Sequence, residues 1–413
     1  MKGLQQHFRT NEEIQAIASM IEAGVREQLI TGLTGSARAL FVSSLYSETA
    51  RPLLVVTHNL YQAQKLYEDF IEFLNEDQVL LYPVNELISA EIAIASPEMK
   101  AQRIEVLNRL VQSFNGIVIA PIAGLRRQLP PKHVWELHQI ELKTGADIGE
   151  TTELIEKLVT MGFQRVDMVS SPGEVSVRGG IIDLYPLTVS DPIRIELFDT
   201  EIESIRSFQI ETQRSAEEMD SVLITPVQEV LLRNVDYKRA EEQLRERLSA
   251  TLKKVKSNET KEKLTQNVSF EISQLKQLGS FQGMYKYMSL YYEDEYSLLS
   301  YLSENTCIVF DELSRIKETA DHLDQEEAQW STALLEQGEM VHDVRMSLPV
   351  FEEIRQKRFS SIYLSLFLKH VPSTNPENVL SITCKSMQEF HGQLSLLKSE
   401  VGRWQKQKQA IVF

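Results

Sequence analysis

The sequence predicts an α/β fold: a mostly parallel sheet flanked by helices, an inserted α+β module, and a separate C-terminal α/β unit. Three observations carry this. Short apolar runs alternate with amphipathic stretches through residues 1–130, the pattern of strands buried on both faces and joined by helices. Alternating apolar residues and tight turns then dominate up to residue 219. Finally, "TCIVFDE", Thr306–Glu312, repeats the character of the first strands and can rejoin their sheet.

Taken in order, "EQLITGL" is a short strand and "ARALFVSSLYSET" a helix. "RPLLVVT" is a buried strand, and Asn59 to Phe73 is an amphipathic helix. "QVLLYP" is a strand, and "SPEMKAQRIEVLNRLVQSF" is a helix with a Ser-Pro start. "NGIVIAP" closes this region, residues 1–130. After Pro130-Pro131 comes the module, 131–219. It has one helix, Thr151–Met161, then strands "VDMV", "EVSVRGGIIDLYP", "IRIELFD" and "EIESIRSFQI". Ser170-Ser171-Pro172-Gly173 and Asp199-Thr200 suit hairpin turns between them. Residues 220–336 form a helical and α/β segment that rejoins the first sheet; from Asp236 to Tyr292 it is helical and charged, with Glu and Lys/Arg at the spacing of a solvated helix face. In the last unit, 337–413, "FSSIYLSLFL" and "NVLSITCKS" read as strands. "MQEFHGQLSLLKSEVGRWQKQK" reads as a helix and "QAIVF" as a new strand. A strand opening at the last residues suggests the N-terminal piece of a longer protein.

Composition narrows the function. Hydrophobic residues at 42% and charged residues at 25% are ordinary globular values, which excludes wholesale disorder. A net charge of −16 repels phosphates and weighs against free-standing nucleic-acid binding. Two distant cysteines, Cys307 and Cys384, give no zinc spacing and no disulfide framework. They fit a reducing cytosol. No apolar signal core opens the chain and no run is long enough to cross a bilayer, so a cytoplasmic protein without a membrane partner is expected. The eight histidines show no metal-ligand spacing, and no catalytic triad is visible. His391 reads as a surface or packing residue near a helix start, and Trp135, Trp330 and Trp404 read as packing residues.

Three motifs stand out. "TGLTGSARALF", Thr31–Phe41, has the rhythm of a phosphate-binding loop between a strand and a helix. Gly32 fits the first glycine position and Gly35 adds a second glycine. The other positions depart: Ala37 replaces the second glycine of the motif, Arg38 its lysine, and Ala39 its metal-binding hydroxyl. Alone, the stretch suits an ordinary strand–loop–helix turn as well as a worn nucleotide site. Asp311 and Glu312 end the "CIVFDE" strand as the acids of a Walker B strand would. They equally suit acids capping a turn. In the module, Arg165, Arg178 and Tyr185 offer planar bidentate donors and a rigid ring, the residue types that anchor protein interfaces. Local salt bridges and a core tyrosine would also account for them. Gly179-Gly180 allows a bend or bulge that re-aims the strand.

Together these stretches resemble a known family, the bacterial transcription-repair coupling factors. The resemblance runs through "TGLTGSARALFVSSLY", "LVVTHNLYQAQKLYEDF", "YPVNELISAEIAIASPEMKAQRIEVLNRLV" and "GIVIAPIAGLRRQLPP". It is most specific in "LVTMGFQRVDMVSSPGEVSVRGGIIDLYPL" and "IRIELFDTEIESIRSFQIETQRS", a block that also looks like the part of UvrB that docks UvrA. It implies a degenerate P-loop-NTPase-like sheet for 1–130, a UvrA-docking domain for 131–219, a UvrB-like segment for 220–336 and a variable domain for 337–413. It further implies a non-catalytic adaptor that recruits UvrA to stalled RNA polymerase, with Arg165, Arg178 and Tyr185 on the docking surface. The ATP- and Mg-dependent DNA translocase of that family, and its contacts to RNA polymerase and DNA, would lie outside these residues, leaving this region without a cofactor. The C-terminal part of the same protein would mask the docking face at rest. UvrB carries a further arginine two positions before the "RG" arginine; here that residue is Ser176. The alternatives are a working P-loop ATPase and a UvrB-like DNA-binding subunit.

Overall fold

The computed structural model describes residues 2–85, 96–279, 281, 283–357, 359–367, 374–382, 384 and 394–407. The first sheet is parallel throughout. Its strands are β1 (Glu27–Thr31), β2 (Leu53–Thr57), β3 (Val79–Leu81), β4 (Ile117–Pro121), β13 (Cys307–Asp311), β14 (Ser360–Ser365) and β15 (Asn378–Ser381). The spatial order is β15-β1-β14-β13-β2-β4-β3. Every residue of "LLVVT", "IVIAP" and "CIVFD" is buried, because helices cover both faces of a parallel sheet. One core, built around Ile30, Leu45, Val55, Phe70 and Val309, packs beneath the helices Ala37–Thr49 and Leu60–Phe73. The other, around Leu54, Leu107, Trp135 and Phe310, packs beneath Pro97–Val111 and Leu313–Glu336. Asn59 starts its helix by accepting from the Gln62 N–H at 2.8 Å, as an N-cap should. Trp135 is a packing residue, fully buried with its indole N–H donated to Asn108 Oδ1 at 2.7 Å.

The module forms its own core, around Leu158, Phe163, Ile182, Ile195 and Ile205. Strands β6 (Gln164–Arg165), β7 (Glu174–Arg178), β8 (Ile181–Leu184), β9 (Ile193–Phe198), β10 (Glu201–Phe208) and β11 (Ser215–Met219) make a six-stranded sheet in the order β11-β10-β9-β8-β7-β6. Beside it, β5 (Ile140–Lys143) pairs antiparallel with β12 (Ser221–Ile224). "EVSVRGGIIDLYP", expected as one strand with a bend or bulge at Gly179-Gly180, instead folds back there into the β7–β8 hairpin. The expected hairpin at 199–200 forms. Asp199 takes the left-handed conformation, φ 60°, that such a turn requires.

Helices Asn234–Lys254 and Asn258–Leu278 build the next unit, on a core around Leu244, Val268, Tyr287 and Tyr291. Ser257 caps the second of them by accepting from the Thr260 N–H, and Gly279 closes it at φ 70°.

Further expectations change. The chain opens with two helices, Lys2–Arg9 and Glu12–Glu22, ahead of the first expected strand. "VDMV" is not a strand; the strand there is Gln164–Arg165. It runs parallel to β7, so Ser170–Gly173 does not close a hairpin. The unit expected apart at 337–413 is not apart over its described strands. β14 sits inside the first sheet between β1 and β13, and β15 forms its edge beside β1. "SSIYLS" is buried over four consecutive residues, a run that needs a neighbour and a helix layer on each side. The helix expected over 387–408 is seen as Leu394–Lys406. His391 and the strand expected at 409–413 lie outside the described residues.

Candidate functional site

The phosphate-loop stretch does lie between a strand and a helix, and Gly32 adopts φ +89°. A Cβ there would lie 2.1 Å from the Ile382 carbonyl oxygen, because the residue after β15 crosses the loop and donates its N–H to Thr31 at 2.9 Å. Gly35 also has positive φ, +52°, in open space. Ala37 starts the helix, and Ala39, at the metal-hydroxyl position, is fully buried in the apolar core.

Arg38 reaches across to the other acidic motif. One guanidinium nitrogen, Nη1, donates to Asp311 Oδ1, and Nη2 donates to Glu312 Oε1 at 2.5 Å. Its Nε donates to the Leu33 carbonyl at 3.1 Å. Gln62 adds a donor to Asp311 Oδ2 at 3.0 Å, and the Leu366 N–H adds one to Glu312 Oε1 at 2.9 Å. Burial pushes the Asp311 carboxyl above its ordinary range, and the charge of Arg38 offsets this only in part. Glu312 sits in the left-handed region, φ 63°, which costs a non-glycine residue about 1 kcal/mol. The two acids are thus joined to an internal cation.

The module presents a different arrangement. Strand pairing fixes which side chains share the face opposite the core. Arg178, Ile181, Glu196 and Ser204 lie in one row across β7 to β10. Ser176, Asp183, Arg194 and Arg206 lie in the next. Tyr185, one residue past β8, continues this face from Asp183. Asp183 is the centre: its carboxylate is buried and accepts from Arg178 Nη2 at 2.7 Å. It also accepts two bonds from Arg194, 2.7 Å from Nε and 2.9 Å from Nη2. Arg194 in turn stacks 4.5 Å above the Phe208 ring. Arg178 keeps 49% of its side chain exposed, against 14% for Arg194. The Tyr185 hydroxyl donates to the Ser190 carbonyl at 2.6 Å, which fixes its half-buried ring.

Of the three expected anchors, Arg178 and Tyr185 therefore share a face. Arg165 is exposed, but it sits on edge strand β6 in register with the core-facing Val175, outside that row. Ser176, where a further arginine was noted as absent, is buried and donates to the Asp167 carbonyl at 2.8 Å. Asp183 and Arg194 were not singled out from the sequence. The signal was present: in "IIDL" and "IRIEL" a charge alternates with the core-facing residues Ile182, Leu184, Ile193 and Ile195. Among the described residues there is no cluster able to hold a metal ion and no helix long and apolar enough to cross a membrane.

Comparison with known proteins bears on this module directly. Residues 140–229 match the UvrB interaction domain family. The whole chain is 45% identical to the transcription-repair-coupling factor of Bacillus subtilis and covers 35% of it. It is 34% identical to that of Staphylococcus aureus over 94% of the chain, covering 33% of that protein. The Staphylococcus haemolyticus protein gives 34% over 92%, with 32% covered. The chain thus spans about a third of the length of the curated relatives it matches.

Proposed function

We propose that this chain, which corresponds over its full length to the N-terminal region of the transcription-repair-coupling factors and carries their UvrB interaction domain, acts as their adaptor region and docks the excision-repair protein UvrA. The observation that carries this reading is Arg178. It is anchored at one end by a buried carboxylate and still exposes half its side chain. Such a group offers unused, pre-positioned donors to a carboxylate or carbonyl on a partner. Tyr185 adds a rigid ring on the same face, and Arg165 a second cation at the sheet edge.

The same reading gives the phosphate-loop stretch no catalytic part. Arg38 already neutralises the acids that would manage a metal, and Ala39 has no oxygen to offer one. In the longer protein an ATP-driven DNA translocase and the contacts to RNA polymerase would be supplied by other regions. The C-terminal part of that protein would cover the docking face until polymerase is engaged.

The test is titration of purified UvrA against this chain and its Arg178→Ala variant. An anchor of this type is worth about 2 kcal/mol, roughly thirtyfold in Kd. The expected result is a loss of that size with an unchanged melting temperature. Undiminished binding would remove the docking assignment.

A further inference from the structure

One aromatic on the module lies far outside its core. Phe198, the last residue of β9, is 76% exposed. Single exposed apolar residues are common on protein surfaces, so exposure alone assigns nothing. Its position does. Leu197 faces the core, so Phe198 faces outward, two residues beyond Glu196 in the Arg178 row. The end of β9 is pressed against the Gly179-Gly180 turn: the Leu197 N–H donates to the Gly180 carbonyl at 2.8 Å. A Cβ on Gly180 would lie 2.9 Å from the Leu197 carbonyl oxygen. Glycine at 180 therefore permits the close approach of the end of β9 to the turn that follows Arg178.

The tip is also held firmly. Thr200 accepts from the Ile148 N–H at 2.9 Å, and Ile202 exchanges bonds with the 145–146 backbone at 2.8 and 2.9 Å. A fixed aromatic buries large area at a small entropy cost. From Tyr185 to Phe198 the outer face runs about 20 Å, taking three two-residue steps at strand rise. That span suits one side of a standard-size interface.

We infer that Phe198 is an apolar anchor of the docking surface, filling a pocket on the same partner that Arg178 engages. This rests on the docking role proposed above. The guanidinium row sets register and charge, and the phenyl ring supplies the buried contact that the row lacks at its Gly179-Gly180 end.

Affinity for UvrA would be measured for this chain and for Phe198→Ala, Phe198→Tyr and Arg178→Ala, with sedimentation of each alone. Phe198→Ala is expected to weaken binding about tenfold, with Phe198→Tyr close to wild type. Loss in Arg178→Ala but not in Phe198→Ala overturns the anchor and leaves the docking role standing. No loss in either overturns both. A wild-type dimer that Phe198→Ala dissolves would assign the ring to self-association instead and also overturn the anchor.

Discussion

Two arginine–carboxylate clusters in this chain use the same chemistry in opposite proportions. In the phosphate-loop stretch one arginine serves two acids, Asp311 and Glu312, and has 13% of its side chain exposed. On the module two arginines share one buried acid, Asp183, and Arg178 is 49% exposed. The first cluster uses up its cation and closes on itself. The second has guanidinium donors to spare and points them at solvent. The closed cluster and the open one are therefore separable by charge stoichiometry together with exposure.

A third cluster shows that stoichiometry alone is not enough. Glu229 accepts from Arg103 at 2.8 and 2.9 Å and from Arg127 at 3.0 Å, again two cations to one acid, but all three are buried. Arg127 also stacks 3.8 Å over Tyr285 of the helical unit. The knot joins the sheet, the segment that follows the module and the helical unit. Burial alone would push the Glu229 carboxyl up. The charges of Arg103 and Arg127 outweigh it and bring it from the ordinary 4.5 down to about 2. A carboxyl depressed on folding contributes stability above its unfolded value, and that stability is lost as pH falls toward the folded one. The contribution at neutral pH is roughly 3 kcal/mol. Glu229→Gln should therefore lower the urea-unfolding stability by about that amount at pH 7, the largest effect expected here. The gap to wild type should shrink between pH 4.5 and about 2. A constant gap across that range would show that the glutamate acts by shape, not charge.

Arg38→Ala attacks the first cluster. Removing one partner of a largely buried ion pair strands the other, and with Asp311 enclosed a loss of roughly 2 kcal/mol is expected. Titration calorimetry of the same variant with ATP and Mg should still show no binding, since Ala39 and the Ile382 carbonyl over Gly32 remain. Micromolar, metal-dependent binding by either protein would break the contrast between the clusters and restore the ATPase alternative.

Much of the first sheet was legible because its strands announce themselves locally. "LLVVT", "IVIAP" and "CIVFD" are apolar runs bounded by turns, and a run buried on both faces needs no partner to be recognised. Strand order was not legible in the same way. "SSIYLS" reads as a strand, but nothing local says that it enters the sheet between residues 27–31 and 307–311. Parallel pairing is a long-range choice. Sites divide similarly. Arg38 and Asp311 were each noticed, yet their contact spans 273 residues and depends on β1 and β13 lying near each other in one sheet. Arg178 stood out beside its paired glycines. Asp183, the acid that orients it, looked like one polar residue in an alternating strand.

Asp183 gives the finest test of the contrast, because it changes how Arg178 is held without removing its charge. Asp183→Asn keeps the side-chain shape and one acceptor oxygen, but loses the charge that both arginines share. Arg194 has other partners, the Phe208 ring and the Gln213 carbonyl at 3.3 Å, so it should stay in place. Among the described residues Asp183 is the partner that holds Arg178, which without that charge should sample more rotamers. Ordering it again on binding costs about 1 kcal/mol, some fivefold in Kd. If Arg178 acts through its position, Asp183→Asn weakens UvrA binding by that factor, and adding Arg178→Ala brings little more than Arg178→Ala alone. If Arg178 acts only through net positive charge, Asp183→Asn adds one unit of charge to the face and strengthens binding at low salt. The two outcomes differ in sign, so a single titration at two salt concentrations separates them.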